Sequence, residues 1–88
     1  MSRRDTIEKI LRGRFNPAQL DVVDDSRRHE GHAGAIPGGQ THFRVRMVSA
    51  AFEGMPRLAR QRLVHEALGA EFGSGLHALS LTLLAPGE

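Results

Sequence analysis

The chain has 88 residues, no cysteine, and a formal net charge of +2 at pH 7, from 12 Lys and Arg against 10 Asp and Glu. That length fits one domain over residues 1–88 with a single small core, and the lack of cysteine excludes disulfides and any thiolate site made by this chain alone. No apolar run reaches the roughly 20 residues of a membrane span, and the opening "MSRRDTIEKI" is charged where a secretory signal is apolar, so a soluble cytoplasmic protein is expected.

Ser2 to Phe15 reads as a first helix. Ile7, Ile10, Leu11 and Phe15 fall on one face, Ser2 is placed to cap the start, and Asn16-Pro17 stops the run. Leu20 to Ser26 reads as a first strand, with Leu20 and Val22 on one side and Val23 on the other. Thr41 to Ser49 is a clearer strand. Phe43, Val45 and Met47 alternate with His42, Arg44 and Arg46, the pattern of a sheet buried on one face and wet on the other. A second helix is expected over Pro56 to Phe72, with Ala59, Leu63, Val64, Ala67 and Leu68 as its apolar stripe. Arg57, Gln61 and His65 lie opposite that stripe with Arg60 beside them, and the glycines at 73 and 75 end the helix. Ala78 to Ala85 reads as a third strand with Leu79, Leu81 and Leu83 facing the core.

The order α-β-β-α-β predicts an α+β fold built on a three-stranded mixed sheet. The first two strands pair antiparallel, and the second and third run parallel through a right-handed helical crossover. Both helices are expected on the Phe43, Val45 and Met47 face, leaving Arg44, Arg46, Ser80 and Thr82 open to solvent.

The connection from about Arg27 to Gln40 is long for two antiparallel strands. Hairpin loops usually take about 2–5 residues, and loops beyond roughly 12–15 are usually functional or disordered. This one carries His29, His32 and four glycines. His29 and His32 are three apart with Gly31 between them, whereas zinc proteases need histidines four apart on a helix, so a solvated polar loop is the plain alternative to a metal site. Gly31-His32-Ala33-Gly34 spells G-x-x-G, but in KH domains that loop joins two helices rather than two strands. His77 stands at the mouth of the third strand on the Leu79 and Leu81 parity, where it either finishes the core edge or serves as a ligand. His42 starts the second strand on the exposed parity, and His65 lies on the polar face of the second helix. No phosphate loop, dinucleotide fingerprint or nucleophile–base pair is visible. Asp24 and Asp25 are neighbours on a strand and point to opposite faces, a poor acid–base pair, so no enzyme is expected.

Three blocks of the chain, "LDVVDDSRRHEGHAG", "THFRVRMVSAAFEGMPRLARQRLV" and "GLHALSLTLLAP", resemble the signature segments of the BolA family. The resemblance runs from about Asp5 to Glu88 and rests on T-H-F, V-S-x-x-F-x-G, R-L-V and H-A-L in that order. It implies a KH-like fold of class II. It also implies a partnership with a monothiol glutaredoxin in iron homeostasis and cluster trafficking, in which the two proteins share a bridging 2Fe–2S cluster with glutathione. The implied ligands from this chain are His77, from H-A-L, and a second from the long loop, His29 first and His32 as its substitute. No cofactor is implied for the isolated chain, and a weak homodimer stays open. The resemblance carries a second role, as a DNA-binding transcriptional regulator of stress response and cell morphology. Arg57, Arg60, Arg62, Arg44 and Arg46 are the residues placed to meet phosphates; a solvated basic face is the alternative. Where many members read R-H-R in the second helix, this chain has Arg60-Gln61-Arg62, which makes transfer of any role for that face less secure.

Overall fold

The computed structural model describes residues 2–25 and 41–88. The first helix, α1 (Arg3–Phe15), begins at Ser2, whose hydroxyl accepts from the Asp5 backbone N–H and so satisfies one of the free donors of the first turn. It ends at Asn16, which takes a left-handed conformation (φ 43°) and returns its N–H to the Arg12 carbonyl. Strands β1 (Gln19–Asp24) and β2 (His42–Val48) pair antiparallel, Val22 opposite Val45. A 3-10 turn at Ala50–Phe52 follows, then α2 (Arg57–Ala67), a short α3 (Gly69–Gly73), and β3 (Ala78–Leu84). β3 runs parallel to β2, with His42 opposite Ala78 and Val45 opposite Leu81, so the sheet order is β1-β2-β3.

The alternation expected along β2 is the one observed. Phe43, Val45 and Met47 are buried while Arg44 and Arg46 are exposed. On the buried face, Ile7, Leu11 and Phe15 from α1 and Val64 and Leu68 from α2 join the strand side chains in one core. Phe52 enters the same core from the 3-10 turn, its ring 5.3 Å from that of Phe15. On the opposite face Arg44, Arg46, Ser80 and Thr82 are exposed.

Three expectations are corrected. The second helix does not run unbroken to Phe72; it stops at Ala67 and, past Leu68, restarts at Gly69, where glycine's backbone freedom weakens helical continuity. Leu63 is exposed, and the buried stripe of α2 runs through Arg60 and Val64 to Leu68. Along β3 only Leu83 is fully buried, while Leu79 and Leu81 are half-buried.

Arg60 is 5% exposed, and its guanidinium is met by carbonyls and by a carboxylate at the surface. Its Nε donates to the Met55 carbonyl (2.9 Å), one Nη to the Leu83 carbonyl (3.0 Å), and both Nη groups to the Glu88 carboxylate. Its guanidinium also lies 5.9 Å from the Phe52 ring centre. At the opposite edge of the sheet, Arg4 Nε donates to the Val22 carbonyl (3.0 Å), so each outer strand has one carbonyl taken by an arginine.

Candidate functional site

β2 and β3 are parallel, so their first residues lie at the same end of the sheet. Had they paired antiparallel, seven residues at about 3.3 Å each would have separated the two starts. Three side chains meet at this end: Thr41, His42 and His77.

Thr41, 6% exposed, organises them. Its carbonyl accepts from the backbone N–H of both His77 (2.8 Å) and Ala78 (3.1 Å), tying the entry of β3 to the entry of β2. Its hydroxyl lies 2.8 Å from His42 Nδ1. The rings of His42 and His77 then stand edge to face, 6.3 Å between centres at 67°. His77 is exposed, and Leu76, one residue earlier, occupies the buried position at the edge of the core. His77 therefore does not finish the core.

Asp25 closes the group on the β1 side. Its backbone N–H donates to the His42 carbonyl (2.8 Å), and its carboxylate lies 3.5 Å from Arg44 Nε. The connection between β1 and β2 thus leaves and re-enters the sheet at the end where His77 stands. His29 and His32 lie on that connection, outside the described residues.

The five arginines expected to meet phosphates do not share one surface. Arg57 and Arg62 are exposed on α2, which covers one face of the sheet, whereas Arg44 and Arg46 are exposed on the opposite, open face. Arg46 is held by the Gln19 side chain (3.0 Å). Arg60 is the correction to the set. It was expected beside the polar face of the helix, but it is buried and its guanidinium is engaged with two carbonyls and Glu88. The hydrogen bonds from Arg60 pull the Glu88 carboxyl down to about 2, with help from the Ala85 N–H. His65 is exposed and stacks on Phe72 with ring centres 5.2 Å apart.

Sequence reasoning missed Thr41 and the contact of His42 with His77. The signal was present in T-H-F and H-A-L, which the parallel register of β2 and β3 brings to one place.

Comparison with known proteins places the whole arrangement among relatives. A family model described as BolA-like protein matches residues 11–88. A protein of Sinorhizobium, described as an uncharacterized protein in the cobS 5' region, is 47% identical over 89 residues; the match covers all of this chain and 96% of that protein. SufE-like protein 1 (chloroplastic/mitochondrial) of Arabidopsis thaliana is 42% identical over 92 residues, covering 99% of this chain but only 24% of that longer protein. The solved BolA domain of SufE1 from Arabidopsis thaliana superposes with a TM-score of 0.87 at 41% identity, covering 98% of this chain and 94% of that one. Among the described residues, no helix is long and apolar enough to cross a membrane.

Proposed function

The chain belongs to the BolA family, and from that membership we propose that it is a non-catalytic partner of a monothiol glutaredoxin, co-ligating a bridging 2Fe–2S cluster in cytoplasmic iron homeostasis and cluster trafficking. The observation that carries the reading is the imidazole of His77. It is exposed at the sheet end where the β1–β2 connection begins and ends, and backbone bonds to Thr41 fix its base.

The donor set suits a shared cluster better than a self-contained one. The sequence has no cysteine, and among the described residues no three His, Cys, Asp or Glu side chains come together. Thiolates must then come from the glutaredoxin and its glutathione, with this chain adding nitrogen. His77 supplies one imidazole. His29 supplies the second, with His32 as its substitute. His29 is four residues beyond Asp25, a span of at most about 14 Å, against about 10 Å for the two strand spacings between β1 and β3. A tether of that length is long enough to span the distance to His77, and that of His32 is longer. Imidazole in place of thiolate raises the reduction potential of such a cluster.

A DNA-binding role stands second, because Arg57 and Arg62 are separated from Arg44 and Arg46 by the thickness of the sheet. Such binding would be weak and steeply salt-dependent at a net charge of +2.

Co-expression with a monothiol glutaredoxin and glutathione tests the reading. A coloured heterodimer with visible absorption and circular dichroism is expected, and His77→Ala should abolish it while the apo chain keeps its fold. A colourless mixture, or an unchanged spectrum in His77→Ala, overturns it.

A further inference from the structure

We propose that the cleft between α2 and the outer edge of β3 is a carboxylate-binding site, filled in cis by Glu88 and open in trans to an acidic side chain on an extended segment of another protein. The site lies at the exit of β3, about 20 Å along the strand from His77. It does not rest on the cluster reading.

The receptor is built independently of its occupant. Arg60 is buried, and two backbone carbonyls orient it: Nε donates to Met55 and one Nη to Leu83. Neither bond involves Glu88. The planar fork thus held presents both Nη groups to one place, where they meet the two oxygens of the Glu88 carboxylate. A third donor, the Ala85 backbone N–H, reaches the same carboxylate at 3.0 Å. Arg57, exposed one turn earlier on α2, adds to the positive field around it. A guanidinium stripped of water needs an anion, because left alone it would be an uncompensated buried charge.

The occupant is lightly held by comparison. Glu88 closes a single turn, with its N–H on the Ala85 carbonyl (3.1 Å) and Gly87 at φ 88°. Pro86, Gly87 and Glu88 are all exposed and add nothing to the core. The tail can swing away while the two carbonyls keep Arg60 in place. Beside it lies a cleft of about 140 Å³, lined in part by Arg57, Gln61, Leu81 and Thr82.

The edge of β3 indicates what kind of chain brings a second carboxylate. Ala78 donates its N–H to Thr41 and Leu84 accepts from Ser49, so the even-numbered residues of β3 bond towards β2. The odd-numbered ones turn their backbone groups outward. The Leu83 carbonyl is met by Arg60 and the Ala85 N–H by Glu88. Leu79 and Leu81 come before that clamp, on the last strand of the sheet among the described residues. An extended segment that pairs with Leu79 and Leu81 runs towards Arg60, and an acidic side chain at its leading end meets the fork. Glu88 already makes that contact from within the chain. Its tether gives it the advantage of an intramolecular ligand, so a competitor shows itself once the tethered carboxylate is removed.

The test compares the parent with Glu88→Gln, with glutaredoxin absent. The probes are sodium acetate at constant ionic strength and a short blocked peptide of valine and threonine with a central glutamate, beside its glutamine twin. Acetate, relative to chloride, should restore at least half of the thermal midpoint lost in Glu88→Gln and leave the parent unchanged. The glutamate peptide should bind Glu88→Gln at least tenfold more tightly than the parent, and the glutamine twin should lose that gain. Adding Arg57→Gln should weaken the peptide several-fold while the far-ultraviolet circular dichroism stays constant. The backbone amide signals of Leu79 and Leu81 should shift with the peptide. Equal effects of acetate and chloride on both chains overturn the site, as does peptide binding indifferent to Glu88. Peptide shifts confined to Arg44 and Arg46, on the opposite face, overturn it too. A gain in affinity for duplex DNA without one for the peptide makes the cleft a phosphate site and ends the proposal. Should Glu88→Gln fail to fold, the parent decides: the glutamate peptide at high concentration must shift the side-chain nitrogen signals of Arg60, and silence there overturns the site.

Discussion

The two ends of the β2–β3 pair are built from the same parallel ladder and are finished in opposite ways. At the far end, Ser49 donates to the Phe15 carbonyl (2.6 Å) and Arg60 joins α2, the end of β3 and Glu88, so polar groups are consumed by one another. At the near end, Thr41 spends its polar groups on fixing backbone and on one ring nitrogen, and an exposed imidazole stands beside it. A buried arginine with its donors satisfied holds structure, because losing a partner would leave a desolvated charge. The exposed His77 touches the edge of the His42 ring and contributes little to the core.

That contrast sets a scale of expected effects. Phe52→Ala, which empties the core beside Arg60, should cost about 3–5 kcal/mol in denaturant unfolding. Arg60→Met should lower the unfolding midpoint clearly, and more than Glu88→Gln, because it frees two carbonyls as well as the carboxylate. The two changes should be strongly non-additive in a double-mutant cycle.

Acid sharpens the difference. The Glu88 carboxyl lies at about 2 in the folded chain against an ordinary 4.5. A depressed folded value means the contribution is complete above the ordinary value and is lost as pH falls through the folded one. Stability should therefore decline between those two values, and Glu88→Gln should flatten the decline; an identical acid profile in the variant would show that Glu88 is not the group responsible. The smallest effect on stability belongs to His77→Ala, expected within about 0.5 kcal/mol of the parent even as the coloured heterodimer is lost. A large drop in the midpoint for His77→Ala would erase the distinction between the two ends.

Periodicity made most of the fold legible. The alternation in "HFRVRMV" identified the face that is buried, and strand order identified which pairs run parallel. What escaped was the position of a charge in the core. Arg60 shares a helical stripe with Val64 and Leu68, but a hydrophobic pattern scores arginine as surface. Its partner Glu88 lies 28 residues away, beyond any local rule. The break at Leu68 was hidden for a similar reason, since apolar spacing continues through Phe72 while the backbone does not. At the site, His77 was visible as a chemically unusual residue at a strand mouth. The role of Thr41 was not, because a carbonyl that accepts two N–H groups is a property of register and leaves no trace in residue type.

The two helix arginines bonded to the outer strands bear on self-association. Among the described residues the sheet ends at β1 and β3, and unpaired backbone groups on an edge strand recruit strands from other copies. Arg4 occupies the Val22 carbonyl on one edge and Arg60 the Leu83 carbonyl on the other. A copy approaching edge to edge would have to displace a guanidinium before its own amide could bond at either carbonyl. Removal of Arg4, the more exposed of the two, should be felt first as aggregation on heating rather than as lost stability.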